Sequence, residues 1–312
     1  MDKLTYKIFL LLIVLTLPFF ADAQLFRSSN YWRQYRKEIS FGIGASNTLT
    51  ELGGRDRVGS DFIYDLELTK TKYSLSFAYR YFIKKNIAVR TSLFYAMVSG
   101  DDALTDDVAR HNRNLNFKSP IVELSFVGEY HLINESAGHR YKLKGARGHK
   151  GTAIGMYTFV GLGLFYFDPR ALDGTRLKPL HTEGQGLEGG PKQYSSINLA
   201  FPVGLGFRYS INTQWRISLQ GGYRFTTTDY LDDVSTVGYN PDELEIAYGP
   251  QSPTYANRGL TKGWWGEGQQ RGDPTDRDGY MFLQLQINYK ILKRRKYGRG
   301  SRIKTRRSMP SF

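Results

Sequence analysis

From residue 38 onward, apolar and polar positions alternate with a period of two. In 73–83 the odd positions Tyr73, Leu75, Phe77, Tyr79, Tyr81 and Ile83 are large and apolar or aromatic, and Ser74, Ser76, Ala78, Arg80 and Phe82 stand between them. In 197–211 (INLAFPVGLGFRYSI) the odd positions are again large, and the even ones are Asn198, Ala200, Pro202, Gly204, Gly206, Arg208 and Ser210. Alternation of this kind places successive side chains on opposite faces of a strand. Similar runs at 38–50, 87–99, 121–132, 153–167, 215–228 and 280–291 predict eight strands in all. These runs exceed the globular mean of about 5–6 residues and match the roughly 9–11 residues of a tilted membrane-spanning strand.

The composition of the smaller face separates a membrane barrel from a soluble sandwich. A solvated face would be rich in Lys, Glu and Thr. Here it holds Gly, Ala and Ser with single charges among them, as a narrow, side-chain-filled lumen requires. The larger face carries Tyr73, Tyr81, Tyr95, Tyr130, Tyr166, Tyr209, Trp215 and Tyr289 near the strand ends, where aromatic girdles meet the lipid–water interfaces. The expected fold is therefore all-β: an eight-stranded antiparallel transmembrane barrel of the outer-membrane type, spanning 38–291. Pro202 falls within a strand and predicts a bulge or local irregularity there.

The connections order the barrel. Residues 84–86 and 212–214 read as tight turns, whereas 51–72, 100–120, 168–196 and 229–279 are long, polar and rich in Gly and Pro. Short turns on the periplasmic side and long loops outside would put both termini in the periplasm. The connection 133–152 is periplasmic by parity despite its length.

Residues 1–23 have the features of a cleaved signal peptide. Lys3 and Lys7 precede an apolar run at 8–20, and Ala21-Asp22-Ala23 supplies a small-x-small cleavage site. That run rises only about 20 Å as a helix, too short for a bilayer core of about 30 Å. Export in turn changes how the charge is read. The chain has 312 residues, 43 Lys and Arg against 29 Asp and Glu, a formal charge of +14 and no cysteine. Such a charge ordinarily suggests nucleic acid, but an exported barrel has no contact with it. The absence of cysteine excludes disulfide scaffolds, thiol catalysis and lipid attachment through an N-terminal cysteine.

Distributed over this topology, the surplus collects on the periplasmic side. The long loops are net acidic. An arm at 24–37 carries Tyr31, Trp32 and Arg33, and 139–150 (HRYKLKGARGHK) carries Arg140, Lys142 and Lys144. The densest stretch, 290–307, continues into a basic tail at 292–312. It includes Lys293, Arg294, Arg295, Lys296, Arg299, Arg302, Lys304, Arg306 and Arg307 and contains no acid. These segments are the candidate docking surface for an acidic periplasmic partner, with the aromatics as apolar anchors. The lumen face carries Arg80, Arg90, Arg208, Arg216 and Arg224 against Glu123 and Glu129, which predicts an internal ion-pair network that plugs the barrel.

Catalysis finds little in the sequence. Some small barrels process lipids, which needs a nucleophile, a base and an orienting carboxylate at the outer rim. Only His111 and His181 lie in outer loops, outside any nucleophile motif. The acidic clusters Asp101-Asp102, Asp229/Asp232/Asp233 and Asp273/Asp276/Asp278 could meet divalent ions, although the last lacks a calcium loop's full ligand pattern. No catalytic, cofactor-binding or metal-ligating residue is assigned.

The block YWRQYRKEISFGIGASN, continuing to residue 83, together with TTTDYLDDVST at 226–236, resembles the PorG family, outer-membrane barrels of the type IX secretion system of Bacteroidetes-type bacteria. The resemblance implies a non-enzymatic role that ties the outer membrane to a periplasmic ring. That ring is built from a PorK/GldK-like lipoprotein and a PorN/GldN-like subunit. Two other readings stay open: a lipid-modifying barrel enzyme dependent on His111 or His181, and an OmpA-like structural barrel whose tail touches the cell wall.

Overall fold

A computed structural model describes residues 35–50, 52, 70–105, 107–135, 154–212, 214–261, 266–275 and 277–291. Within them lie eight strands: β1 (Lys37–Leu49), β2 (Lys72–Phe82), β3 (Ile87–Asp101), β4 (Asn116–Ile133), β5 (Ile154–Phe167), β6 (Ile197–Ser210), β7 (Trp215–Thr226) and β8 (Gly279–Ile291). Each pairs antiparallel with its neighbours in sequence, and β8 returns to β1, so the sheet is a closed barrel. All eight runs identified by alternation are strands. Closure leaves no unpaired edge, the condition for a sheet to sit in hydrocarbon. No described helix is long and apolar enough to cross a membrane.

The register fixes the tilt. Stepping across the ladders from Lys37 through Tyr81, Val89, Gly128, Val160, Val203, Tyr223 and Met281 leads back to β1 at Asn47, further along the same strand. This stagger inclines the strands to the barrel axis, and eight strands so inclined leave an interior that side chains can fill. The outward residues are mostly large and apolar; Phe126 is 59% exposed and Val160 64%. A continuous belt of this kind is a lipid-facing surface rather than one made for water. Its aromatic rims lie at both ends. Tyr81, Tyr130, Tyr209, Trp215 and Tyr289 stand at the end where Lys37 meets Ile291, and Tyr73, Tyr95 and Tyr166 at the other. Trp215 and Tyr289 pack with ring centres 4.9 Å apart, and Tyr73 and Tyr95 at 6.0 Å.

Inside, small residues alternate with rings. On β6, Gly204 and Gly206 face Phe159 and Tyr157 so closely that an added Cβ would lie 2.5 Å from one ring and 2.4 Å from the other. Pro202 does not shift the register. It stays paired with Arg224 of β7, while the β5–β6 ladder lapses between Val160↔Val203 and Gly163↔Ala200. The register shift lies elsewhere, between β4 and β5 at His131/Ile133.

At the long-loop end the structure departs from the expectation of open polar loops. β3 and β4 continue as a paired hairpin to Asp101↔Asn116, beyond the predicted strand ends. Beyond the strands, α1 (Val108–Arg113), α2 (Pro241–Tyr248) and α3 (Gln251–Ala256) join two single helical turns, Asp102–Leu104 and Lys178–Leu180, in a folded cap. Asp107 caps α1 by accepting from Arg110 N, and Asn240 caps α2 by accepting from Asp242 N and Glu243 N. Leu231, Val234, Leu244, Ala171 and Leu177 are buried beneath the cap and extend the hydrophobic core beyond the barrel. The expected signal segment 1–23, the arm residues Tyr31, Trp32 and Arg33, the segment with Arg140, Lys142 and Lys144, and the tail 292–312 lie outside the described residues.

Candidate functional site

The predicted lumen charges meet in two groups. Toward the terminus-bearing end, Arg80 is fully buried and bridges two carboxylates. Its Nε donates to Glu129 Oε2 at 2.5 Å, its Nη2 to Glu129 Oε1 at 3.1 Å, and its Nη1 to Glu38. Arg90 Nε donates to the same Glu129 at 2.5 Å, and Arg208 pairs with the second oxygen of Glu38. Lower still, Arg216 and Lys290 both reach Glu135, Lys290 at 3.4 Å. Toward the loop end, Arg224 Nε donates to Glu123 at 2.8 Å and Tyr280 Oη donates to it at 2.6 Å. The Arg224 guanidinium lies 3.9 Å from the ring centre of Phe282.

Between the groups runs a layer of neutral polar bonds. Ser40 donates to Asn288 at 2.6 Å, Ser76 to Gln284 at 2.8 Å, and Tyr157 Oη to Gln220 at 2.8 Å. All seven lumen residues read from the sequence are buried. Three further members escaped that reading. Glu38 opens the first predicted strand, Lys290 begins the basic stretch 290–307, and Glu135 falls in the connection after β4. Desolvating so many charges is stabilising only when each keeps its partner, and here carboxylates are shared between cations. The lumen is a packed plug.

The cap holds the second polar cluster. Asp102 receives two bonds from Arg113, Nε at 2.7 Å and Nη2 at 2.8 Å, and one from Leu115 N. Glu183 accepts from Ser235 N at 2.9 Å and from Thr236 Oγ1 at 2.7 Å. Asp232 accepts from Leu52 N and Val234 N, and Asp233 from Thr182 Oγ1 at 2.7 Å and Tyr194 Oη at 2.6 Å. Asp278 accepts from Leu231 N at 2.7 Å.

Asp232 and Asp233, expected on an acidic outer surface open to divalent ions, are instead fully buried fasteners of the 226–236 segment. Burial pushes the carboxyl of Asp232 up to about 7 and that of Asp233 up to about 6, against the pull of Arg113 and Arg271 respectively. Burial also raises Asp102, despite its bonds to Arg113. Asp101 pairs with Lys70 at 2.9 Å. Among the described residues, no group of three or more His, Asp or Glu is arranged to hold a metal.

The two loop histidines sit on separate elements of the cap. His111 lies on α1. His181 follows the Lys178–Leu180 turn, with φ of 47° and its ring 4.3 Å from that of Tyr248. Burial and the neighbouring Lys178 lower the pKa of His181.

A closed eight-stranded barrel with an apolar belt, two aromatic rims and a plugged, charge-paired lumen defines a small barrel of the outer-membrane type. A family model described as "Domain of unknown function (DUF6089)" matches residues 19–249, and the chain belongs to that family. No curated protein matches the sequence. Among solved structures, the attachment invasion locus protein Ail of Yersinia pestis, in complex with a heparin analogue, is similar at 10% identity, with 83% of this chain and 99% of that chain covered and a TM-score of 0.37. Neisserial surface protein A is similar at 9% identity, 82% and 97% coverage and a TM-score of 0.35. The outer membrane enzyme PagL is similar at 13% identity, 81% and 99% coverage and a TM-score of 0.27.

Proposed function

We propose that this protein is a non-enzymatic outer-membrane anchor or assembly component of a type IX secretion machine, with its termini in the periplasm. In this reading the basic segments 139–150 and 292–312 and the aromatic arm dock a ring made of a PorK/GldK-like lipoprotein and a PorN/GldN-like subunit. The observation that carries the reading is the pairing of a plugged barrel with a charge surplus concentrated in the segments that leave its terminus-bearing end. A barrel with a filled lumen works through its surfaces, and the cations belong to the surface that a periplasmic ring would meet. The resemblance of 31–83 and 226–236 to the PorG family supplies the identity of that ring.

The test is a chain truncated after Ile291. Heat-modifiable gel mobility should show that the barrel still folds. Loss of a co-purifying ring lipoprotein and of cargo secretion is the expected result. Retention of the partner at high salt with normal secretion would move the docking surface to the arm or to 133–152. Absence of any partner from the intact chain would overturn the secretion reading.

A further inference from the structure

We infer that the outward face of the β4–β5 pair, just beyond the aromatic rim at the loop end, binds the phosphate of a lipid that carries a phosphomonoester. The β4–β5 register continues past the end of β5: Lys118 pairs with Arg170, and Arg170 pairs in turn with Arg176. Lys118 N donates to Arg170 O at 2.7 Å, and Arg170 N to Lys118 O at 2.9 Å. Residues paired in this way stand on one face, where like charges directly opposite each other are destabilising. Here three cations stand side by side, at an end of the molecule whose long loops are otherwise net acidic.

The carboxylate they share is Asp168, which is only 2% exposed. It accepts from Arg170 Nε at 2.9 Å and from Arg176 Nε at 3.0 Å, and Arg170 Nη2 lies 2.7 Å from it. Lys118 Nζ donates to a neutral acceptor, Leu172 O, at 2.9 Å. Asp173, on the same connection, is engaged by Tyr255 Oη and Thr175 N. Three cations against one bonded carboxylate leave two positive charges unbalanced. The side chains of Arg170 and Arg176 are 43% and 53% exposed, so both can meet a ligand outside the protein.

Position selects a lipid over a soluble ion. In the same register Val122 pairs with Tyr166, a residue of the rim, and Arg170 stands four residues further along. Four residues are about 13 Å of strand, or about 10 Å of height at a tilt of about 35–45°. Arg176 reaches back to the Tyr166 hydroxyl. The cations therefore fall in the headgroup layer beside the belt. Beneath them the exposed side chains of Val122, Leu164 and Ile197 offer apolar surface to acyl chains. Guanidiniums match phosphate oxygens in bidentate geometry. A phosphomonoester, with a charge near −2, balances the surplus better than a singly charged diester. The site lies at the opposite end of the barrel from the basic terminal segments and is independent of the docking reading.

The experiment is native mass spectrometry of the full chain released from detergent micelles, titrated with phosphatidic acid, phosphatidylglycerol and phosphatidylcholine of identical acyl chains. One phosphatidic acid should bind at least about tenfold tighter than phosphatidylcholine, and tighter than phosphatidylglycerol. Lys118→Gln, which leaves the Asp168 pairs intact, should weaken it at least about threefold. The triple variant Asp168→Asn/Arg170→Gln/Arg176→Gln, which strands no buried charge, should weaken it at least about tenfold. Lys84→Gln/Lys85→Gln, in the exposed turn at the other end, should leave it unchanged. Heat-modifiable mobility verifies the fold of each variant. If the triple variant does not fold, Lys118→Gln and the lipid comparison decide the question. Phosphatidylcholine or phosphatidylglycerol binding as tightly as phosphatidic acid, or unchanged affinity in folded Lys118→Gln, would overturn the assignment. So would an equal loss in the Lys84/Lys85 variant. Displacement of the lipid by inorganic phosphate at a similar concentration would make this a free-phosphate site and overturn the lipid assignment as well.

Discussion

Arg80 shows how one side chain can hold a lumen together. It bonds both Glu38 and Glu129, and through them it is linked to Arg208 and Arg90. Arg80→Met keeps most of the volume but leaves two buried carboxylates short of a partner. The expected loss is about 3–5 kcal/mol, read as a lower urea midpoint for unfolding in detergent. Arg80→Met combined with Glu129→Gln should recover part of that loss, and a single variant as stable as wild type would show that the network is not structural. Arg80, Arg90, Glu123 and Glu129 were legible in the sequence because a lone charge among Ser, Ala and Gly on the smaller face of a strand has nowhere to point but inward. Glu38, Glu135 and Lys290 were not. Each sits at or just beyond a strand end, where the period is too short to assign a face, and Lys290 merges into an unbroken basic run.

The elements divide along the same line. All eight strands were visible because lipid on one side and a packed lumen on the other impose a strict period of two. The cap was invisible because it is built from side chain-to-backbone bonds and buried loop residues, which leave no period behind. DYLDDV reads as a solvated acidic run until Leu52, Thr182 and Tyr194 are brought to it from distant segments. That burial has a pH signature. Asp232 and Asp233 titrate higher in the fold than in an unfolded chain, so their contribution to cap stability is complete below about pH 4 and is lost as pH rises through about 7. Asp102 shifts in the same direction, while the lowered His181 opposes it weakly. Hydrogen exchange of the 227–261 backbone should therefore be slower at pH 5 than at pH 8 after correction for the intrinsic rate, and Asp232→Asn should flatten the difference. Stronger protection at pH 8 in the wild type would contradict this.

For the whole molecule, a plug of paired charges and stacked rings predicts an electrically silent barrel. Reconstituted into planar bilayers, the folded chain should give no steady conductance, and a stable open level would mean that the lumen network rearranges. The molecule is then a fixed post in the membrane, with a folded cap at one end and charged extensions in the sequence at the other. Its closure also dictates an order of events. Ser40 bonds Asn288 across 248 residues of chain, along a seam that joins the first strand to the last. Until β8 has been made and delivered, β1 presents a bare edge of unpaired donors and acceptors, so no growing intermediate is a smaller version of the finished product. Such a chain must be escorted with its first strand shielded, and insertion and sealing become a single late step that a loss of the last strand would forbid.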